Sequence, residues 1–200
     1  PYTAGGTGLA ACLPPSASAD GKLFENLADS AKRAKIRADI AHPTTYAESL
    51  CELATPEGVL LTAFSNPANK KWAGHRLSEV MAASGKDWLS TVMDLLLTEH
   101  QGIGTIFFLM SEDNVALQLK QPWIKIGTDA EGPDPDSTTA FTHPRSYGTY
   151  PRILGKYVRD EHVLTLEDAI RKMSGAVADR LLIRDRGLLR EGMYADIVVF

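Results

Sequence analysis

The segment that most constrains the fold runs from Thr105 to Asp129. Thr-Ile-Phe-Phe-Leu-Met at 105–110 is short, apolar and partly β-branched, and reads as a strand. Ser111 follows as a helix N-cap, with Glu112 and Asp113 where negative charge complements the positive end of the helix dipole. The helix should stop at Gln121 and Pro122. Trp-Ile-Lys-Ile-Gly-Thr-Asp at 123–129 returns as a second strand. Strand, helix and strand with short connections predict a parallel crossover, one step of an α/β sheet or barrel.

The flanking regions extend this alternation. Leu23, Leu27, Ala31, Ala34 and Ala38 recur at helical spacing and predict one amphipathic helix over 22–41, closed by His42 and Pro43. Residues 58–64 read as a buried strand stopped by Ser65, Asn66 and Pro67. Two apolar stripes, one through Leu77, Val80 and Met81 and one from Trp88 to Leu97, predict two helices separated by Ser84, Gly85 and Lys86. After Asp129 the run Glu-Gly-Pro-Asp-Pro-Asp-Ser-Thr-Thr predicts a loop. Thr165 and Asp168 have capping-box spacing before a last helical stripe, and Gly187 and Gly192 suggest a turn into a new strand at 195–200.

Of the 200 residues, 44% are hydrophobic and 23% charged, the balance of a soluble globular chain. A net charge of −4 provides no electrostatic footprint for a polyanion. Neither nucleic acid nor an anionic membrane is therefore an expected partner, and a small molecule or peptide fits better. No apolar stretch reaches the roughly 18 residues needed to span a bilayer. Both ends of the sequence read as cut. The setting expected is cytoplasmic, with a signal peptide left open. Cys12 and Cys51 lack CxxC spacing and read as ordinary apolar positions, not a disulfide framework or a zinc knuckle.

In α/β architectures chemistry collects at the carboxyl ends of parallel strands, which is where Asp129 falls. An acid there can act on substrate or cap a turn beside Thr128. Arg145, after His143 and Pro144, can hold a carboxylate through its bidentate fork or remain a solvated loop side chain. Tyr2, beside Gly5 and Gly6, can bind through its hydroxyl or pack; Met110 at a strand end can line a pocket or belong to the core. His42, His75, His100 and His162 show no metal-ligand spacing, so this segment by itself should not assemble a metal centre.

Taken in order, Pro-Tyr-Thr-Ala-Gly-Gly-Thr-Gly-Leu at 1–9, Leu-Met-Ser-Glu-Asp at 109–113, Ile-Gly-Thr-Asp at 126–129 and His-Pro-Arg at 143–145 resemble the C-terminal part of the N-acyl-D-amino-acid deacylase (D-aminoacylase) family of the amidohydrolase superfamily. So do Tyr-Gly-Thr-Tyr-Pro-Arg-Ile-Leu-Gly-Lys-Tyr-Val-Arg at 147–159 and Arg-Asp-Arg-Gly-Leu-Leu-Arg at 184–190. The resemblance implies an α/β fold, the C-terminal part of a (β/α)8 TIM barrel with the start of a small β-sandwich domain. Residues 1–186 would then be barrel, 20–101 an insertion or lid, and 187–200 the start of the return strand.

It also implies a zinc-dependent hydrolase that cleaves N-acyl-D-amino acids to a carboxylate and a free D-amino acid, with one or two zinc sites. Asp129 matches the family's catalytic aspartate and would also touch metal. Arg145 matches the arginine for the substrate α-carboxylate, Tyr2 a tyrosine that assists it, and Met110 a pocket-lining position. The remaining ligands are expected before Pro1, so this segment alone should be inactive, and a truncated barrel should be aggregation-prone. The alternatives are a catalytically incomplete fragment or non-catalytic binding protein, and another amidohydrolase such as a cyclic-amide hydrolase.

Overall fold

Gly104–Phe108 forms the central strand of a three-stranded sheet in the computed structural model, which describes residues 2–43, 48–130, 132, 134–137 and 141–200. The chain divides into two compact units, one of residues 4–109 with 138–143, the other of residues 1–3, 110–137 and 144–200.

The first unit holds strands β1 (Ala4–Gly8), β2 (Val59–Ala63) and β3 (Gly104–Phe108) in the order β1-β3-β2. Both pairings are antiparallel, with Gly6 opposite Ile106 and Leu61 opposite Thr105. Around the sheet run helices α1 (Leu23–Ala28), α2 (Ser30–Ala41), α3 (Leu50–Ala54), α4 (Leu77–Ser84) and α5 (Trp88–Glu99). Leu9, Leu61, Leu77, Met93, Leu96 and Phe107 are among the side chains that close the core. Each apolar side chain of this kind stabilises by about 1.5–3 kcal/mol when fully buried.

The single helix expected over 22–41 is two. Asp29 leaves helical geometry and turns its carboxylate onto the amides of Ala31 (2.8 Å) and Lys32 (3.1 Å), so it ends α1 and caps α2. A short acid that can satisfy orphan amides competes with helix continuation, and apolar periodicity does not register that competition. The pair α4 and α5 is as expected. Gly85 takes the left-handed conformation (φ 68°) that closes α4, and Asp87 caps α5 through the Ser90 amide at 3.0 Å.

The two cysteines depart from expectation. Cys12 and Cys51 form a disulfide, with both residues buried. The short 3-10 turn Leu9–Cys12 packs against α3, and Ser49 donates to the Cys12 carbonyl at 2.9 Å, which brings the sulfurs together. Two cysteines 39 residues apart carry no spacing signal; tertiary packing alone pairs them.

The second unit contains α6 (Glu112–Leu119), α7 (Arg145–Arg152), a π-helical stretch Ile153–Asp160, α8 (Leu166–Met173) and α9 (Gly175–Arg180). Val115, Leu119, Ile126, Ile153, Tyr157 and Ala169 form its core. Ser111 caps α6 through the Asn114 amide at 3.2 Å, and Thr165 caps α8 through the Asp168 amide at 3.2 Å. The Asp168 carboxylate pairs with Arg171 at 2.7 Å. Lys172 is fully buried and donates to the carbonyls of Leu119 and Gln121, where the negative end of the α6 dipole favours a cation.

The parallel crossover is not observed. β3 pairs only with antiparallel neighbours in the first unit, and residues 123–129 form no strand among the described residues. Of that run only Ile126 is buried, and its amide donates to the Lys172 carbonyl at 3.2 Å. A strand needs a neighbouring ladder to take its backbone donors and acceptors; here an apolar run meets a helix end instead. Residues 193–200 likewise form no strand. The polar loop expected after Asp129 lies partly outside the described residues. No described helix is long and apolar enough to cross a membrane.

Candidate functional site

Asp129 and Arg145, chosen from sequence as an acid and a carboxylate-binding cation, lie in the second unit and touch. An Arg145 Nη1 donates to Asp129 Oδ2 at 2.9 Å. Arg145 begins α7, directly after Pro144, and its side chain is 24% exposed. Asp129 sits at the end of the 123–129 run with φ 50°, a left-handed conformation that Asp tolerates better than most residues, and its side chain is 85% exposed. A pair this open to water stabilises by only about 0–1 kcal/mol, so an incoming carboxylate can displace it at small cost.

Tyr2 approaches the same helix start. Its hydroxyl donates to the Pro144 carbonyl at 3.4 Å, one residue before Arg145. The backbone beside Tyr2 is held by Met110, whose amide donates to the Thr3 carbonyl at 3.2 Å. Met110 is 45% exposed, so it is not a core position of the described structure.

Four residues assigned no chemical role from sequence form a network in this unit. Glu112 accepts from Arg152, from Lys156 at 2.7 Å and from the Tyr157 hydroxyl at 2.7 Å. Desolvation raises the Glu112 pKa, but the Lys156 and Tyr157 hydrogen bonds outweigh it and hold the carboxyl below its usual range. Burial, followed by the bond to the Glu112 carboxylate, pushes the Tyr157 phenol up to about 12. Glu112 is therefore a fixed anion and Tyr157 a fixed neutral donor near neutrality.

The π-helix makes this network possible. Its i→i+5 bonding brings Arg152 and Tyr157 onto one face with Lys156 beside them. Pro151, inside α7, lacks the amide that a regular ladder would use just before the widening. Pro151 and Gly155 within a charged stretch were the available sequence signal, but ordinary 3.6-residue periodicity does not reveal a π turn.

His143 is structural in this arrangement: its ring is buried and Nε2 donates to the Ala4 carbonyl at 3.0 Å, within the first unit. Among the described residues no group of three or more His, Cys, Asp or Glu side chains could hold a metal ion. Asp129 fits as one donor, an accessible carboxylate oxygen suited to zinc, and a complete site needs further ligands.

Residues 75–200 match the amidohydrolase family. Over 128 residues the chain is 39% identical to a D-aminoacylase of Alcaligenes xylosoxydans xylosoxydans, an overlap of 64% of this chain and 24% of that protein. A crystal structure of D-aminoacylase that defines a novel subset of amidohydrolases matches with a TM-score of 0.64 and 28% identity, covering 98% of this chain and 31% of that one. N-acyl-D-glutamate deacylase from Bordetella bronchiseptica, complexed with zinc and a phosphonate mimic of the tetrahedral intermediate, matches with a TM-score of 0.59 and 30% identity over 72% of this chain and 28% of that one. The chain spans about a quarter of the length of the curated relatives it matches.

Proposed function

The chain belongs to the amidohydrolase family, and on that premise we propose that it forms part of a zinc-dependent hydrolase that cleaves the amide bond of N-acyl-D-amino acids. The reading rests chiefly on one observation: an accessible carboxylate, Asp129, and a guanidinium, Arg145, meet at 2.9 Å. One group can move a proton and the other can hold a substrate carboxylate, as deacylation of an acyl amino acid requires.

In this proposal the substrate α-carboxylate takes the place of Asp129 at Arg145. The guanidinium fork orients it, and the Tyr2 hydroxyl assists from the start of α7. Asp129, released from that contact, accepts a proton from the attacking water and delivers it to the leaving nitrogen as the C–N bond breaks. The products are a carboxylate and a free D-amino acid. Zinc, when bound, would polarise the amide carbonyl and lower the pKa of the attacking water. Asp129 would contribute one oxygen to its site, with the other ligands before Pro1. Met110 would line the acyl-amino-acid pocket.

The same proposal assigns residues 1–186 to the C-terminal portion of a (β/α)8 barrel, with 20–101 as an insertion or lid and 187–200 as the start of a return into a β-sandwich. Within a complete barrel, 123–129 would gain the ladder partners it lacks among the described residues.

The test is zinc content together with hydrolysis of N-acetyl-D-methionine and N-acetyl-D-glutamate, on the full-length protein and its Asp129→Ala variant. The expected result is zinc retained in the variant with kcat reduced by about 10²–10⁴, the range for a lost general acid–base. A full-length protein that binds no zinc and hydrolyses neither substrate would point to a non-catalytic binding protein.

A further inference from the structure

We infer that Arg152 and Gly148 form a cradle for Tyr2, making Arg152 a positioning residue for recognition of the substrate carboxylate. The inference rests on the deacylase reading, because it takes Tyr2 and Arg145 as the carboxylate-binding pair.

A tyrosine hydroxyl that assists an arginine must be held in place, or its contribution is lost to ring motion. The Arg152 guanidinium lies 5.0 Å from the centre of the Tyr2 ring and 5.6 Å from that of Tyr157, within cation–π range of both. It is in turn fixed by Glu112, which also binds Lys156 and Tyr157. Arg152 thus connects a network already bound to the π-helix with Tyr2, whose hydroxyl meets the start of α7.

Gly148 provides the other side of the cradle. A Cβ built there would come within 2.1 Å of the Tyr2 hydroxyl oxygen, so that oxygen rests directly on the α7 backbone. The same hydroxyl donates to the Pro144 carbonyl, four residues earlier on the same helix start. Because the far end of the tyrosine is what an added methyl would meet, any side chain at 148 must push the hydroxyl away while leaving Arg145 in the sequence. Arg152 therefore acts on the ring and Gly148 on its tip.

The experiment uses the zinc-loaded full-length protein and compares KM and kcat for N-acetyl-D-methionine with those for its C-terminal carboxamide, which lacks the carboxylate. Arg152→Met should raise KM for the carboxylate substrate about tenfold, leave kcat within about twofold and leave carboxamide turnover unchanged, which also reports that the variant is folded. Gly148→Ala should reproduce the effect, and Arg152→Lys should partly restore the wild-type KM. Combining Arg152→Met with Tyr2→Phe should cost no more than Tyr2→Phe alone. Equal losses on both substrates, or additive losses in the double variant, would overturn the inference. If Tyr2→Phe abolishes the preference for the carboxylate while Arg152→Met preserves it, this inference fails and the deacylase reading stands. A wild-type protein that hydrolyses neither substrate would remove the deacylase reading and this inference together.

Discussion

Asp87 caps α5, accepting from the Ser90 amide and hydroxyl, each at 3.0 Å, and pairs with Arg37 at 3.2 Å. Desolvation raises its pKa, but these hydrogen bonds outweigh it and bring the carboxyl down from 3.8 to about 2. A carboxyl lowered by folding contributes stability above its unfolded value and loses that contribution as pH falls through the folded one. The first unit should therefore lose stability between about pH 4 and about pH 2. Asp87→Asn keeps an acceptor for the Ser90 amide but cannot ionise, so its urea midpoints should fall less steeply over that window. Parallel curves for the two proteins would remove Asp87 as the cause. Asp29 and Ser111 show the same chemistry, and each sets a helix boundary by satisfying amides that the helix itself leaves orphaned.

Joined elements carry the next level of stability. The Cys12–Cys51 bond ties the 3-10 turn after β1 to α3 and closes a loop with a sequence separation of 39. In the chain-entropy account a loop of that size is worth about 4 kcal/mol. Cys12→Ala combined with Cys51→Ala should lower the unfolding free energy of the first unit by about 2–4 kcal/mol, measured by urea denaturation without reductant. An unchanged midpoint would show that the bond does not constrain the unfolded chain. Disulfides persist chiefly in oxidising compartments, which bears directly on the cytoplasmic setting expected from the sequence. In the second unit Lys172 links α8 to the end of α6 by donating to the carbonyl of Leu119, the last residue of α6, and to that of Gln121 just beyond it, a role that its position beside an apolar stripe does not announce.

Among the described residues, many of the exposed large apolar side chains lie in the last twenty positions. Leu182 is 74% exposed, Leu189 80% and Val199 93%. Exposed apolar side chains in such number promote association in water. The 200-residue chain in isolation should therefore self-associate as its concentration rises, seen as increased light scattering, and Leu189→Asp with Val199→Asp should reduce that scattering without altering the melting of the first unit. A monodisperse wild-type chain at high concentration would contradict this expectation.

Local chemistry made many elements legible from sequence. Ser111, Thr165 and the break at Gly85 mark helix ends because capping and left-handed turns depend on neighbouring residues, and the strand at 59–63 follows from a buried β-branched run. The identity of Asp129, Arg145 and Tyr2 as candidates also came from sequence. Their contacts did not, because the residue separation from Tyr2 to Pro144 is bridged only by folding. The disulfide, the buried Lys172 and the Glu112 network belong to the same class. Strand pairing is the sharpest case: an apolar run declares itself in sequence, but whether it becomes a strand depends on whether another backbone lies alongside it. Residues 104–108 have two such neighbours, whereas 123–129 meet a helix end. Sequence determined which segments could be buried and which side chains could do chemistry; tertiary structure decided which of them meet, because pairing energies are realised only between groups that packing brings within a few ångströms.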